Sequence, residues 1–226
     1  MHQLPLGVRL RDRADFDSFH AGRNQRLVEE VRGFTAPEAA GCFWIAGPAG
    51  SGKSHLLQAA CARVASSAYF PMEELETLGP GVLEGAEALS LVCIDDVGRV
   101  LGRAGWEAML FRLYVELDTR RGRLLLADER PPGQVEFGLP DLSSRCGAAF
   151  RGTLLPLDEG EQREALRRRA ELRGLDLPED CALYLQRHFP RDMGSLQGIL
   201  DRLDVASLSA QRRLTVPFLR DVLSGR

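Results

Sequence analysis

Gly47, Pro48, Ala49, Gly50, Ser51, Gly52, Lys53 and Ser54 follow one another in the pattern G-x-x-x-x-G-K-S. The chemistry of that spacing is phosphate binding. Glycines let backbone N–H groups approach phosphate oxygens. The Lys53 ammonium would reach the β- and γ-phosphates of a nucleotide, and the Ser54 hydroxyl would ligate Mg2+. His55, at the start of the following helix, is grouped with this binding stretch. Lys53 is the only lysine among 29 Lys and Arg residues. A phosphate cradle suits a compact ammonium on a flexible stem better than a planar guanidinium. The plainer alternative is a glycine-rich turn with an incidental lysine.

Three further groups of residues bear on the same chemistry. Asp95 and Asp96 end an apolar run. In a phosphate-loop fold the first acid orients a Mg2+-bound water and the second can polarise an attacking water. An Asp-rich turn after a strand is the alternative. Asp128 and Glu129 close a second apolar run, 123–127, and precede Pro131 and Pro132. Either acid could sense a γ-phosphate, or both could belong to a charged turn. Arg145 ends the stretch 139–145. From residue chemistry alone, a helix-end salt bridge and a phosphate-directed role are equally good readings. Upstream, Phe16, Phe19, Gly22 and Asn24 read equally as an adenine pocket or as ordinary core and turn.

The elements that would hold these residues alternate. Strands are expected at 42–46, 68–71, 89–96, 123–127 and 150–155, from apolar and β-branched runs bounded by turn residues. Helices are expected at 26–33, 54–64 and 105–120. In the last of these Trp106, Met109, Leu110, Leu113 and Leu117 share one face. A short capped helix is expected at 139–145, and 72–87 reads as two short helices or turns. Alternation of this kind implies a parallel sheet of five strands with helices on both faces. Ligands then bind at the carboxyl ends of the strands, where Lys53, Asp95 and Asp128 fall. From residue 156 only helices follow, near 159–173, 178–189, 191–210 and 216–224, making a small helical domain. The expected division is a tail at 1–15, an α/β nucleotide-binding domain at 16–156 and a helical lid at 157–226.

Composition narrows the function classes. Net charge is −3 and charged residues make up 27% of the chain, which argues against a broad electrostatic grip on duplex DNA. The five cysteines are scattered and odd in number, with no C-x-x-C, as for buried thiols in a reducing compartment. The four histidines have no metal-ligand spacing. No apolar run is long enough to span a membrane, so a cytoplasmic protein is expected. The Arg167-Arg168-Arg169 run reads as a solvated helix face paired with Glu164 and Glu171, with nucleic-acid contact as the alternative. The tail residues Gln3, Leu4, Pro5 and Leu6 read as disordered, as an edge strand, or as an extended peptide that docks in a partner's groove.

Taken together, these residues resemble the DnaA lineage of the AAA+ superfamily of P-loop NTPases and, more closely, the Hda family of DnaA-homologous regulators. The resemblance covers nearly the whole chain. It is carried by the P-loop, LSLVCID at 89–95, RPP at 130–132, GLPDLSSR at 138–145 and LTVPF at 214–218. It implies a fold, an AAA+ core with a helical lid, and a mechanism. Hda-like proteins bind ADP, attach to the DNA-loaded β sliding clamp and act on DnaA bound to ATP. Gln3, Leu4, Pro5 and Leu6 are similar to the family's clamp-binding peptide, with Gly7 and Val8 where the family often has Pro and Leu. Arg145 matches the family's arginine finger, which would enter the DnaA site in trans. Contact with DNA would then be indirect, through the clamp, at the nucleoid or replisome, and a homo-oligomer is possible. Cofactors implied are ADP or ATP with Mg2+.

There is one departure. The lineage usually carries a nucleotide-sensing arginine on a lid helix, where this chain has Gly194. Arg191, three residues earlier, is the candidate to replace it. Two other functions remain open: an autonomous AAA+ ATPase such as a helicase loader of the DnaC or IstB type, and a nucleotide-gated, clamp-anchored adaptor for another factor. Asp96 stands where strong motor ATPases commonly have glutamate, so at most weak intrinsic hydrolysis is expected.

Overall fold

The computed structural model describes residues 14–189, 193–210 and 213–223. The tail residues 3–6 and Arg191 lie outside these. Five parallel strands form one sheet: β1 (Gly41–Ala46), β2 (Ser67–Pro71), β3 (Leu91–Asp95), β4 (Arg123–Asp128) and β5 (Phe150–Thr153). Their order is β2-β3-β4-β1-β5. The chain therefore leaves β1 for the far edge, winds back through β3 and β4, and crosses β1 to add β5. That reversal beside β1 opens a crevice at its carboxyl end, as in other open α/β sheets.

The inner strands β1, β3 and β4 are apolar runs buried nearly throughout because both their faces are covered, whereas the edge strands β2 and β5 are partly exposed. Alternate residues go to opposite sides. Cys42, Trp44, Val92, Ile94, Leu124 and Leu126 meet α4 (Ala104–Thr119) and α5 (Pro140–Gly147). Phe43, Ile45, Leu91, Cys93, Leu125 and Ala127 meet α1 (Gln25–Phe34) and α2 (Lys53–Arg63). On α4, Trp106, Leu110, Leu113 and Leu117 are buried, and Met109 packs at their margin. Each such side chain contributes roughly 1.5–3 kcal/mol of apolar transfer energy.

The expected elements are present, with local differences at their ends. β3 begins at Leu91 rather than 89, because the Ser90 and Leu91 amides are drawn to the Ser66 carbonyl. It ends at Asp95 because Asp96 turns into the left-handed region, φ 50°. The 72–87 stretch is a one-turn helix, α3 (Met72–Leu75), then two 3₁₀ turns, Pro80–Leu83 and Ala86–Ala88.

Four helices follow the sheet: α6 (Glu159–Leu172), α7 (Glu179–His188), α8 (Met193–Ala210) and α9 (Val216–Leu223). They enclose a core of their own around Leu166, Ala170, Cys181, Leu185, Leu200, Leu203 and Leu219. Asp158 starts α6 with a capping box, accepting from the Gly160 and Glu161 amides while Glu161 accepts from its own N–H. The same two acids hold Arg23, at 2.6 Å from Asp158 and 3.2 Å from Glu161. The helical region is thereby tied to the turn that opens α1. Among the described residues, no helix is long and apolar enough to cross a membrane.

Candidate nucleotide site

The glycine-rich loop leaves β1 at Ala46 and enters α2 at Lys53, so it lies over the crevice. Gly50 and Gly52 have φ of 73° and 104°, which a side chain would strain. A methyl group on Gly52 would also stand 2.8 Å from the Phe19 ring. Pro48, Ala49 and Gly50 are exposed, whereas Gly47 and Ser51 are buried. The Ser51 hydroxyl is buried with no hydrogen-bond partner among the described residues. The first amides of α2 have no intrahelical acceptors. The Lys53 side chain is buried and donates to the carbonyls of Gly47 at 2.7 Å and Pro48 at 3.1 Å. An orphan hydroxyl, open amides and an ammonium folded over its own loop suit a polyphosphate, which would supply acceptors for all three.

Asp95 reaches the same edge from β3. It is buried, and both its oxygens already accept: Oδ2 from the Tyr69 hydroxyl at 2.7 Å, Oδ1 from the Asp96 amide at 3.1 Å. Ser54, by contrast, is exposed. Burial, then the neighbouring Asp95 charge, push the Asp96 carboxyl above the usual carboxylate range, while Lys53 pulls it down. Ser54 and Asp95 are hard oxygen ligands, and the pair fits Mg2+ bound partly by protein and partly by water and phosphate. A divalent cation held there would supply charge neutralisation for a bound nucleotide's phosphates.

Asp128, at the tip of β4, is buried, while Glu129 beside it is exposed. This separates two acids that the sequence left equivalent. The Asp128 carboxylate is committed inside the protein: Oδ2 accepts from the Gly98 amide at 2.8 Å and Oδ1 from the Arg130 amide at 3.0 Å. It ties the loop after Asp96 to β4, and a methyl group on Gly98 would come 2.1 Å from it. Asp96 thus feels the charges of Asp95, Lys53 and Asp128 at the carboxyl end of the sheet.

His55 has its ring nitrogens engaged. Nε2 lies 2.8 Å from the Asp15 carbonyl and 3.3 Å from Ser18 Oγ, and Nδ1 meets Arg169 of α6. Burial, then the Arg169 charge, lower its pKa to about 4. The ring is therefore neutral, with Nε2–H donating to Asp15 and Nδ1 accepting from Arg169. Its side chain serves as a latch rather than as a phosphate donor. Arg168 of α6 also donates to the Asp17 carbonyl, at 2.8 Å. The pairing expected for the arginine run, with Glu164 and Glu171, gives way to partners on other elements, Arg167 going to Glu179 of α7. Tertiary placement overrides helical spacing here, because the run lies between α7 and the segment that precedes the glycine loop.

That segment divides the adenine-pocket candidates. Phe16 is buried beneath the guanidinium groups of Arg32 and Arg63. Asn24 exchanges two hydrogen bonds with the Leu155 backbone. Both are structural. Phe19 remains beside the loop, edge-on to His55 with ring centroids 5.2 Å apart.

Arg145 lies elsewhere. It is half-exposed on α5, 3.9 Å from Asp118 and above the Tyr114 ring at 5.6 Å. Asp118 is in the last turn of α4, which leads into the amino end of β4, and α5 leads into the amino end of β5. Arg145 is thus at the end of the sheet opposite the glycine loop. A six-residue strand separates those ends by about 20 Å. Gly194 falls in the first turn of α8.

Three residues that sequence reasoning missed organise this arrangement. Glu107 is buried on α4 and accepts from three amides, Gly102 at 2.8 Å, Gly138 at 3.0 Å and Leu139 at 2.6 Å. It fixes the entry to α5 and so the place of Arg145. Arg123 is buried at the amino end of β4 and donates to the carbonyls of Thr35, Ala36 and Ser90. Tyr69 covers Asp95. Only a charge inside an apolar helix face hinted at Glu107; nothing in the sequence marked the other two.

Comparison with known proteins fits this geometry. Residues 158–223 match the family described as Hda, lid domain. Domain III of the replication initiation protein DnaA from Thermotoga maritima superposes with a TM-score of 0.79 at 21% identity, covering 95% of this chain and 97% of that one. AMPPCP-bound DnaA from Aquifex aeolicus superposes at 0.70 and 19% identity, over 89% and 68% of the two chains. The Thermotoga maritima RuvB Holliday junction branch migration motor gives 0.57 at 14% identity, over 89% and 69%. At such identities the likeness establishes the fold. The chain has a DnaA-like fold, and its residues 158–223 match the lid domain of the Hda family.

Proposed function

We propose that this protein is a DnaA-related regulator of replication initiation that holds a nucleotide for structure and lends Arg145 to DnaA. The Hda lid match on a DnaA-like core supports the regulator class. One observation carries the direction of action. Arg145 is half-exposed at the end of the sheet away from its own glycine loop, which supports action on a nucleotide held by another molecule rather than its own.

In this reading the loop amides, Ser51, Lys53 and Ser54 hold ADP or ATP, with Asp95 orienting Mg2+ through water. Asp96 acts, if at all, as a weak base in its own site. Arg145 would stabilise charge on the phosphoryl group transferred in DnaA, which in small GTPases is worth about 10³–10⁵ in rate. Residues 3–6 would dock to the DNA-loaded sliding clamp, bringing the α/β region 16–156 and the lid 157–226 to DnaA in the cytoplasm. Arg191 would contact the nucleotide from the lid.

The test is hydrolysis of ATP by DnaA on clamp-loaded DNA, with and without this protein. Stimulation that disappears in Arg145→Ala supports the reading. No stimulation by the unaltered protein overturns it, and brisk hydrolysis by this protein alone would favour an autonomous ATPase.

A further inference from the structure

Tyr69 stands where the cation chemistry of this site has to happen. It lies on β2, opposite Cys93 of β3 in the parallel register. Its hydroxyl donates to Asp95 Oδ2 at 2.7 Å, the shortest contact that carboxylate makes. Ser54 and Gln58, one turn apart on α2, have their side chains against the same hydroxyl.

The two groups a P-loop offers to a divalent cation are thus already joined through a tyrosine. Ser54 would give the cation its hydroxyl oxygen. Asp95 would accept from a cation-bound water. A phenol that donates to Asp95 takes one lone pair of Oδ2 and draws charge from the carboxylate, leaving a poorer acceptor for such a water. An O–H···O⁻ bond in a buried setting is among the stronger hydrogen bonds, so it is not displaced without cost.

We propose that Tyr69 is a built-in competitor for the divalent cation, making nucleotide retention by this protein weakly dependent on Mg2+. The inference rests on the reading of 47–54 as a nucleotide site. A cation held through a water on Asp95 must share that carboxylate with the phenol, whereas the first amides of α2 meet phosphates with no such competitor. The tyrosine thereby favours holding a nucleotide over turning it over.

The experiment is calorimetric titration of the full chain with ADP, in EDTA and in excess Mg2+. A parallel measurement follows binding of Mn2+ to the ADP complex by electron paramagnetic resonance. The unaltered protein should gain little ADP affinity from Mg2+. In Tyr69→Phe the gain should rise about tenfold, the worth of one hydrogen bond to a charged group, and Mn2+ should bind correspondingly tighter. Tyr69→Leu should behave alike and covers the case in which the phenylalanine variant does not fold. A merely structural tyrosine would lower the melting temperature and leave the ratio of the two affinities unchanged. That result, in a protein that binds ADP, overturns the competitor role alone. Failure of the unaltered protein to bind ADP or ATP under either condition overturns the nucleotide reading, and this inference with it.

Discussion

The two ends of the sheet are built on opposite terms. At the carboxyl end, nearly every acid and base that could act is already committed. Lys53 is folded onto its own loop, Asp95 accepts from Tyr69 and Asp96, Asp128 holds Gly98 and Arg130, and His55 joins α6 to residue 15. At the amino end, Arg145 is half-exposed and its ion pair with Asp118 is long, at 3.9 Å. Its supporting residue, Glu107, is buried and fully used. Commitment at one end is what the proposed reading asks of a site that holds a nucleotide for structure. Freedom at the other end, on a rigid mount, is what it asks of a side chain offered to a partner.

The comparison breaks most severely at Glu107. Glu107→Ala removes a buried acceptor of three amides and should cost about 4 kcal/mol by denaturant titration. Loss of DnaA stimulation should accompany it even where the variant is folded, since α5 loses its anchor. Next is Lys53→Ala, which should weaken nucleotide binding about 100-fold by calorimetry, with the fold retained on circular dichroism. A smaller effect concerns acid. The folded pKa of His55, about 4, lies below the ordinary 6.5, so the unfolded chain takes up the proton first as pH falls. The latch therefore contributes its full stability above pH 6.5 and loses it between 6.5 and 4. The loss should reach about 2 kcal/mol and be absent in His55→Gln, read from melts across that range. The smallest effect sharpens the contrast: Arg145→Ala should change stability by less than about 0.5 kcal/mol, as for an exposed ion pair, and leave nucleotide affinity untouched.

How far the sequence could be read depended on whether the chemistry was local. The P-loop, the apolar strands and the amphipathic α4 are patterns of neighbouring residues, and each was visible as such. The choice between Asp128 and Glu129 was not, because they are adjacent and both acidic; only the pleat decides which one enters the core. Phe16 and Phe19 were likewise equivalent until one was seen beneath two guanidinium groups and the other beside the loop. The arginine run misled, since spacing along a helix says which residues are neighbours on its surface but not which element lies opposite.

By itself, then, the amino-acid order determined five apolar strands, the loop that joins the first to α2, and the four helices after the sheet. Those follow from periodicity and from residues whose backbone preferences are their own. Tertiary structure alone decided the strand order that carries β1 into the interior of the sheet, the distance between Lys53 and Arg145, the burial of Glu107 and Arg123, and the seat of Tyr69 on Asp95. Each depends on groups far apart in the chain. Tyr69 lies 26 residues from Asp95, Arg123 88 from Thr35, and Arg169 114 from His55. A polar side chain at such a distance has no local pattern to announce its partner. It finds one because a buried polar group left without a hydrogen bond costs more than the order needed to provide it.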